Sequence, residues 1–112
     1  MSWSPVIDLA TFRVNGVKHT LYHINHDDSR IVKDSDERLV YKIDSSMRVT
    51  DALEKVVGTA YLDDLEGSFN DDSGWVFQDV VNNVSVRTGC YSTVKAEIQF
   101  IKHLLGDTDE GQ

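Results

Sequence analysis

Asp8 and His23 are the residues whose types could do acid–base work together, and whether they meet depends on Asn15-Gly16. That dipeptide separates two strand-like runs, Pro5 to Val14 and Val17 to His26. Asn-Gly there reads as a type I′ hairpin turn, because both central positions need φ > 0 and the twist of that turn matches its strands. A two-residue loop sets the register. Val14 then opposes Val17, Phe12 opposes His19, Ala10 opposes Leu21, Asp8 opposes His23 and Val6 opposes Asn25. A carboxylate beside an imidazole favours the protonated ring and orients one ring nitrogen. No Ser or Cys stands at a nucleophile's spacing from the pair. The plainer account, a polar pair closing one end of a sheet face, is therefore preferred, and no catalytic residue is assigned beyond the candidates His23 and Asp8.

His19, His23 and His26 invite a metal reading that strand geometry rejects. Residues four apart on a strand are separated by about 13 Å, and His26 points to the other face, so no metal is expected. The acidic runs Asp63-Asp64-Leu65-Glu66 and Asn70-Asp71-Asp72 lack the alternating ligands and internal glycine of a calcium loop. Asp63, Asp64, Asp71 and Asp72 instead fall at an expected helix end, where negative charge opposes the dipole, and that mismatch marks them as a partner-facing surface. Cys90 precedes an expected helix, but a buried structural cysteine accounts for it. Tyr22, Tyr41 and Trp75 are the aromatic handles that a small-molecule pocket could use. No phosphate loop, dinucleotide fingerprint, zinc motif or nucleophile elbow occurs, and no cofactor is expected.

The elements that must position these residues divide the chain in two. The first half reads as an antiparallel meander: the hairpin, a short strand over Arg30 to Lys33, and a third long strand in which Leu39, Tyr41 and Ile43 alternate with Val40, Lys42 and Asp44. In the second half the period changes. Thr50 as N-cap, followed by Leu53, Val56, Val57, Ala60, Tyr61 and Leu65, predicts a helix ended by Gly67. Ser73 caps a second, over residues 74–87, with Phe77, Val80, Val81 and Val84 as its stripe. The alternative strand would put Asp79 and Asn83 on the same face as Trp75, Phe77 and Val81. Ser92 opens a third helix running to Leu105, with Val94, Ile98, Ile101 and Leu105 on one face and Gly106 at C′. Sheet first and helices second is an α+β pattern, the meander packed against two or three C-terminal helices. Residues 1–112 read as a single domain whose last six, 107–112, form a disordered tail.

Composition bounds the function. The 112 residues are 40% hydrophobic and 27% charged, within the globular range. Nineteen acidic against eleven basic residues give a formal charge of −8, which disfavours direct binding of nucleic acid. No segment has membrane-spanning length, the first residues lack the features of a signal peptide, and one cysteine makes no intrachain disulfide, so a cytoplasmic protein is expected. The register leaves Ile7, Leu9, Tyr22 and Ile24 as an apolar patch on the hairpin's second face, which predicts a homodimer. The favoured function is a non-enzymatic, protein-binding accessory of adaptor, inhibitor or immunity type, with a basic protein as one partner that would suit its acidity. The alternatives are a small-molecule binder or minor enzyme with a pocket around Asp8 and His23, and a structural homo-oligomer subunit.

Overall fold

The computed structural model describes residues 6–63 and 74–106. Within them the chain forms β1 (Val6–Val14), β2 (Val17–Ile24), β3 (Ser29–Lys33), β4 (Leu39–Ile43), β5 (Arg48–Asp51), β6 (Val56–Asp63), β7 (Gly74–Asp79), β8 (Val84–Arg87) and one helix, α1 (Thr93–Leu104). Each strand pairs antiparallel with the next, so the spatial order β1 to β8 repeats the order in the chain.

Turn chemistry dictates this meander. Asn15 and Gly16 have φ of 51° and 84°, the two positive values that a type I′ turn requires. Three later turns share one pentapeptide pattern: Asp34-Ser-Asp-Glu-Arg38, Asp44-Ser-Ser-Met-Arg48 and Asp51-Ala-Leu-Glu-Lys55. In each, the aspartate Oδ1 accepts the backbone N–H groups two and four residues on. Its carbonyl accepts the N–H of the fourth residue, Glu37, Met47 or Glu54, and all three sit in the left-handed region at φ 65°. An L side chain there costs about 1–2 kcal/mol. Replacing the exposed Glu54 by glycine is therefore expected to raise stability by about 0.5 kcal/mol after glycine's extra chain entropy is subtracted. A urea midpoint that stayed level or fell would show that this turn carries no such strain.

The hairpin, the strands at Arg30 to Lys33 and Leu39 to Ile43 and the third predicted helix form at the expected places, although the hairpin's register shifts near Leu9. Ser92 is the N-cap, accepting the Lys95 N–H, and Gly106 follows the helix at φ 69°. The other two predicted helices are replaced by strands, so among the described residues the sheet has eight strands and a single helix packs on it, a mostly β fold and not a meander under two or three helices. Residues 50–63 contain the end of β5, the Asp51 turn and β6. The Thr50-Asp51 pair that resembles a helix start is a hairpin corner, and the β-branched Val56, Val57 and Thr59 suit the pleat beyond it. Residues 74–87 form the β7–β8 hairpin. Asp79 does face the same side as Trp75 and Phe77, but hydrogen bonds satisfy its carboxylate there, which removes the objection to a strand. Gly67, Ser73 and the tail 107–112 lie outside the described residues.

Register and alternation sort the side chains onto two faces. One is covered by α1. Its larger core cluster joins Ile43, Met47, Val49, Val57 and Phe77 to Ala96 and Phe100 of the helix. A smaller cluster joins Leu21 and Val32 to Ile101, with Leu9, Phe12, Val94 and Ile98 at its margin. The outer face carries Tyr22, Ile24, Ile31, Lys42, Thr50, Thr59 and Tyr61. Among the described residues no second layer covers it.

Candidate functional site

One irregularity rearranges the hairpin's predicted pairs. The register runs as expected from Val14↔Val17 through Ala10↔Leu21, then shifts at a bulge around Leu9, giving Asp8↔Tyr22, Ile7↔His23 and Val6↔Ile24. A bulge puts two residues opposite one, so every later residue changes face. Asp8 consequently lies on the outer face, while His23 faces the helix side, and the predicted Asp8–His23 pair is not formed. His23 Nε2 instead lies 3.5 Å from Asp28 Oδ1, without hydrogen-bond geometry.

The same shift divides the predicted dimer patch. Ile7 moves to the helix side at the sheet's edge and Leu9 packs at the margin of the smaller core cluster, leaving Tyr22 and Ile24 outside. The three ligand handles are likewise separated. Tyr22 is on the outer face, whereas Tyr41 and Trp75 pack against the larger core cluster. Trp75 donates its Nε1–H to the Tyr91 carbonyl at 3.1 Å. Burial, with the negative charges of Asp51 and Asp79, raises the Tyr41 pKa, so its phenol stays protonated.

Of the predicted acidic surface, Asp63 accepts from Arg87 Nη1 at 2.9 Å, and Asp64, Asp71 and Asp72 lie outside the described residues. His19 is buried against Phe12 with ring centroids 5.7 Å apart. No grouping of three metal-ligating side chains occurs among the described residues. Cys90 is partly buried, with Sγ 3.2 Å from Gln99 Nε2 and 3.4 Å from the Thr88 carbonyl.

Two polar anchors between helix and sheet are absent from the sequence reading. Arg30 on β3 donates Nε–H to Glu97 Oε1 at 2.6 Å, while its Nη2 lies 3.2 Å from Met47 Sδ. Glu97 is 0% exposed and its Oε2 has no hydrogen-bond partner. Burial raises the Glu97 pKa to about 7 against the opposing influence of Arg30. At the other anchor, Asp79 Oδ2 lies 2.8 Å from His103 Nε2 and also accepts from the Asn82 side-chain amide, while Oδ1 accepts the Val81 and Asn82 backbone N–H groups. Burial pushes the Asp79 pKa up, but these hydrogen bonds outweigh it and hold the carboxyl below its ordinary value. Glu97 was detectable in principle, as a carboxylate between the apolar Ala96 and Ile98. Its partner, sixty-seven positions away, was not.

Among the described residues the outer face holds open, shallow depressions. One of about 230 Å³ is lined by Val6, Tyr22, Ile31 and Lys33, and another of about 520 Å³ by residues of β4, β5 and β6, Lys42, Arg48, Thr50 and Val56 among them. Lys33 Nζ sits 5.7 Å from the centroid of the Tyr22 ring. Such a surface suits contact with an extended or flat partner better than enclosure of a small molecule. Compared with protein-family models, curated proteins and solved structures, the chain matches none of them.

Proposed function

We propose that this chain is a non-enzymatic protein-binding accessory of adaptor, inhibitor or immunity type, acting in the cytoplasm, and that the outer face of its sheet receives the partner. The observation that carries this reading is a broad sheet face left without a covering layer among the described residues, with Tyr61 45% and Val56 39% exposed. Tyrosine and arginine among aliphatic groups, with shallow relief, is the composition of protein interfaces. No described helix is long and apolar enough to cross a membrane. The small-molecule alternative would have to do without an Asp8–His23 pair, because the two lie on opposite faces.

A photocrosslinking amino acid at Tyr61 tests this in the native host. Val81, 59% exposed on the β7–β8 turn, serves as the control position. Adducts of defined mass from Tyr61 and none from Val81 are expected. Adducts from Val81 alone, or from neither position, would contradict the proposal.

A further inference from the structure

The sheet face that α1 does not cover carries most of its charge as cations among the described strands. Six of the eleven Lys and Arg residues alternate onto it: Arg13, Lys18, Lys33, Lys42, Arg48 and Arg87. Of the four acids carried by the described strands, only Asp8 and Asp63 share that face, and Asp63 is held by Arg87. Asp51 and Asp79 turn to the helix side.

The register also orders four of these cations. Lys33 on β3 is level with Thr20, two residues along β2 from Lys18. Lys42 on β4 is level with Ile31, two residues along from Lys33. Arg48 on β5 is two residues along from Thr50, which is level with Lys42. Each step crosses one strand and advances two residues, about 8 Å, so the four form a straight diagonal over β2 to β5. Among the described residues no carboxylate pairs with Lys18, Lys33 or Arg48, and Lys42 has only Asp27 at 3.8 Å, an exposed contact of little strength. The outer-face depressions are lined by these same residues, with turn carboxylates at their rims: Asp34 and Glu37 near Lys18, and Asp44, Asp51 and Glu54 near Lys42 and Arg48.

We infer that this diagonal is the docking track for an acidic, extended peptide segment of a partner protein, an inference that rests on the protein-binding reading above and specifies the partner's chemistry. Alternate carboxylates on one side of an extended chain are about 6.7 Å apart, a spacing that flexible Lys and Arg side chains on 8 Å centres can follow. A polynucleotide fits less well. The acidic turns at Asp34-Ser-Asp-Glu37 and at Asp51 and Glu54 flank the track, and the net charge of −8 repels a long polyanion while a short segment meets only the local field.

Fluorescence anisotropy tests this with a labelled peptide in which glutamate alternates with serine, and with labelled oligothymidine long enough to run past the track onto the flanking acidic turns. The full chain should bind the peptide saturably, more weakly as salt is raised. K42E/R48E should weaken binding by about tenfold or more. K95E/K102E, the same charge change on α1, should leave it unaltered, with circular dichroism confirming that both variants fold. Preference for oligothymidine would overturn the inference, as would failure to bind the peptide or equal losses in the two variants. A protein adduct captured at Tyr61 together with failure to bind the peptide would keep the protein-binding reading and discard only the acidic partner.

Discussion

Replacing Arg30 by alanine is expected to destabilise the fold by about 3–5 kcal/mol when measured at pH 8, where the native Glu97 is ionised, because the buried carboxyl then loses the charge partner it has among the described residues and must stay ionised or take up a proton at a cost. The ion pair itself contributes little net stability, since both groups leave water to form it. Truncating one member is what exposes the full desolvation cost of the other. A double variant, Arg30→Met with Glu97→Gln, should recover most of the loss, as apolar and neutral groups of similar volume fill the same space. Chemical denaturation of the three variants checks this, and a double variant no more stable than Arg30→Ala would show that packing, not charge, holds the site.

The same pair gives the fold a defined pH response. Glu97 titrates near 7 in the folded chain, above the ordinary 4.5 of the unfolded one. Between those values the folded state binds more protons, so this contribution to stability is fully present below pH 4.5 and is lost as pH rises to about 7. Asp79 acts in the opposite sense and lower, because its depressed pKa makes stability fall on acidification below its ordinary 3.8. The groups facing Glu97 are Arg30 on β3, with His23 on β2 paired to Arg30 in register and Asp28 beside His23. The melting temperature should therefore decline from pH 5 toward pH 7 in the native chain, and Glu97→Gln should flatten that decline. An equal slope in both proteins would assign the response to another group.

Phe100→Ala is expected to cost about 3–5 kcal/mol, the range for emptying a buried aromatic site. Phe100 is 0% exposed, stacks on Phe77 with centroids 4.7 Å apart, and lies against the His103 ring at 5.9 Å. Its ring also occupies the space above Gly58, where an added Cβ would come within 2.5 Å of Cε2. Glycine at 58 is what lets the helix approach the sheet so closely. Gly58→Ala is disruptive for the complementary reason, overfilling in place of emptying. A change in urea midpoint for Phe100→Ala equivalent to under about 1 kcal/mol would mean that α1 is not anchored through this ring.

What the sequence disclosed, and what it hid, follows from the range of the interactions involved. Asn15-Gly16, the Ser92 cap and Gly106 are local chemistry, and each fixes its element where the residues stand. The bulge at Leu9 is not marked by any glycine or proline, so the register could be carried correctly from Val14 only as far as Ala10. Val56, Val57 and Ala60 fit a helical period by coincidence, and the repeated Asp-x-x-x-Arg/Lys turn, visible three times between Asp34 and Lys55, was the local signal for hairpins that outweighs it. Asp79 seemed to forbid a strand because its partner His103 lies twenty-four positions away. The basic diagonal depends on the register of four strands at once, which alternation within any single strand does not reveal.

The most direct test of the outer face as the working surface is amide chemical-shift mapping of the full chain during titration with the partner that crosslinking at Tyr61 identifies. Perturbations are expected to concentrate at Tyr22, Lys33, Lys42, Arg48 and Tyr61, with the Glu97 and His103 amides of α1 unmoved. Perturbations centred on α1, with the outer-face residues unchanged, would contradict this expectation.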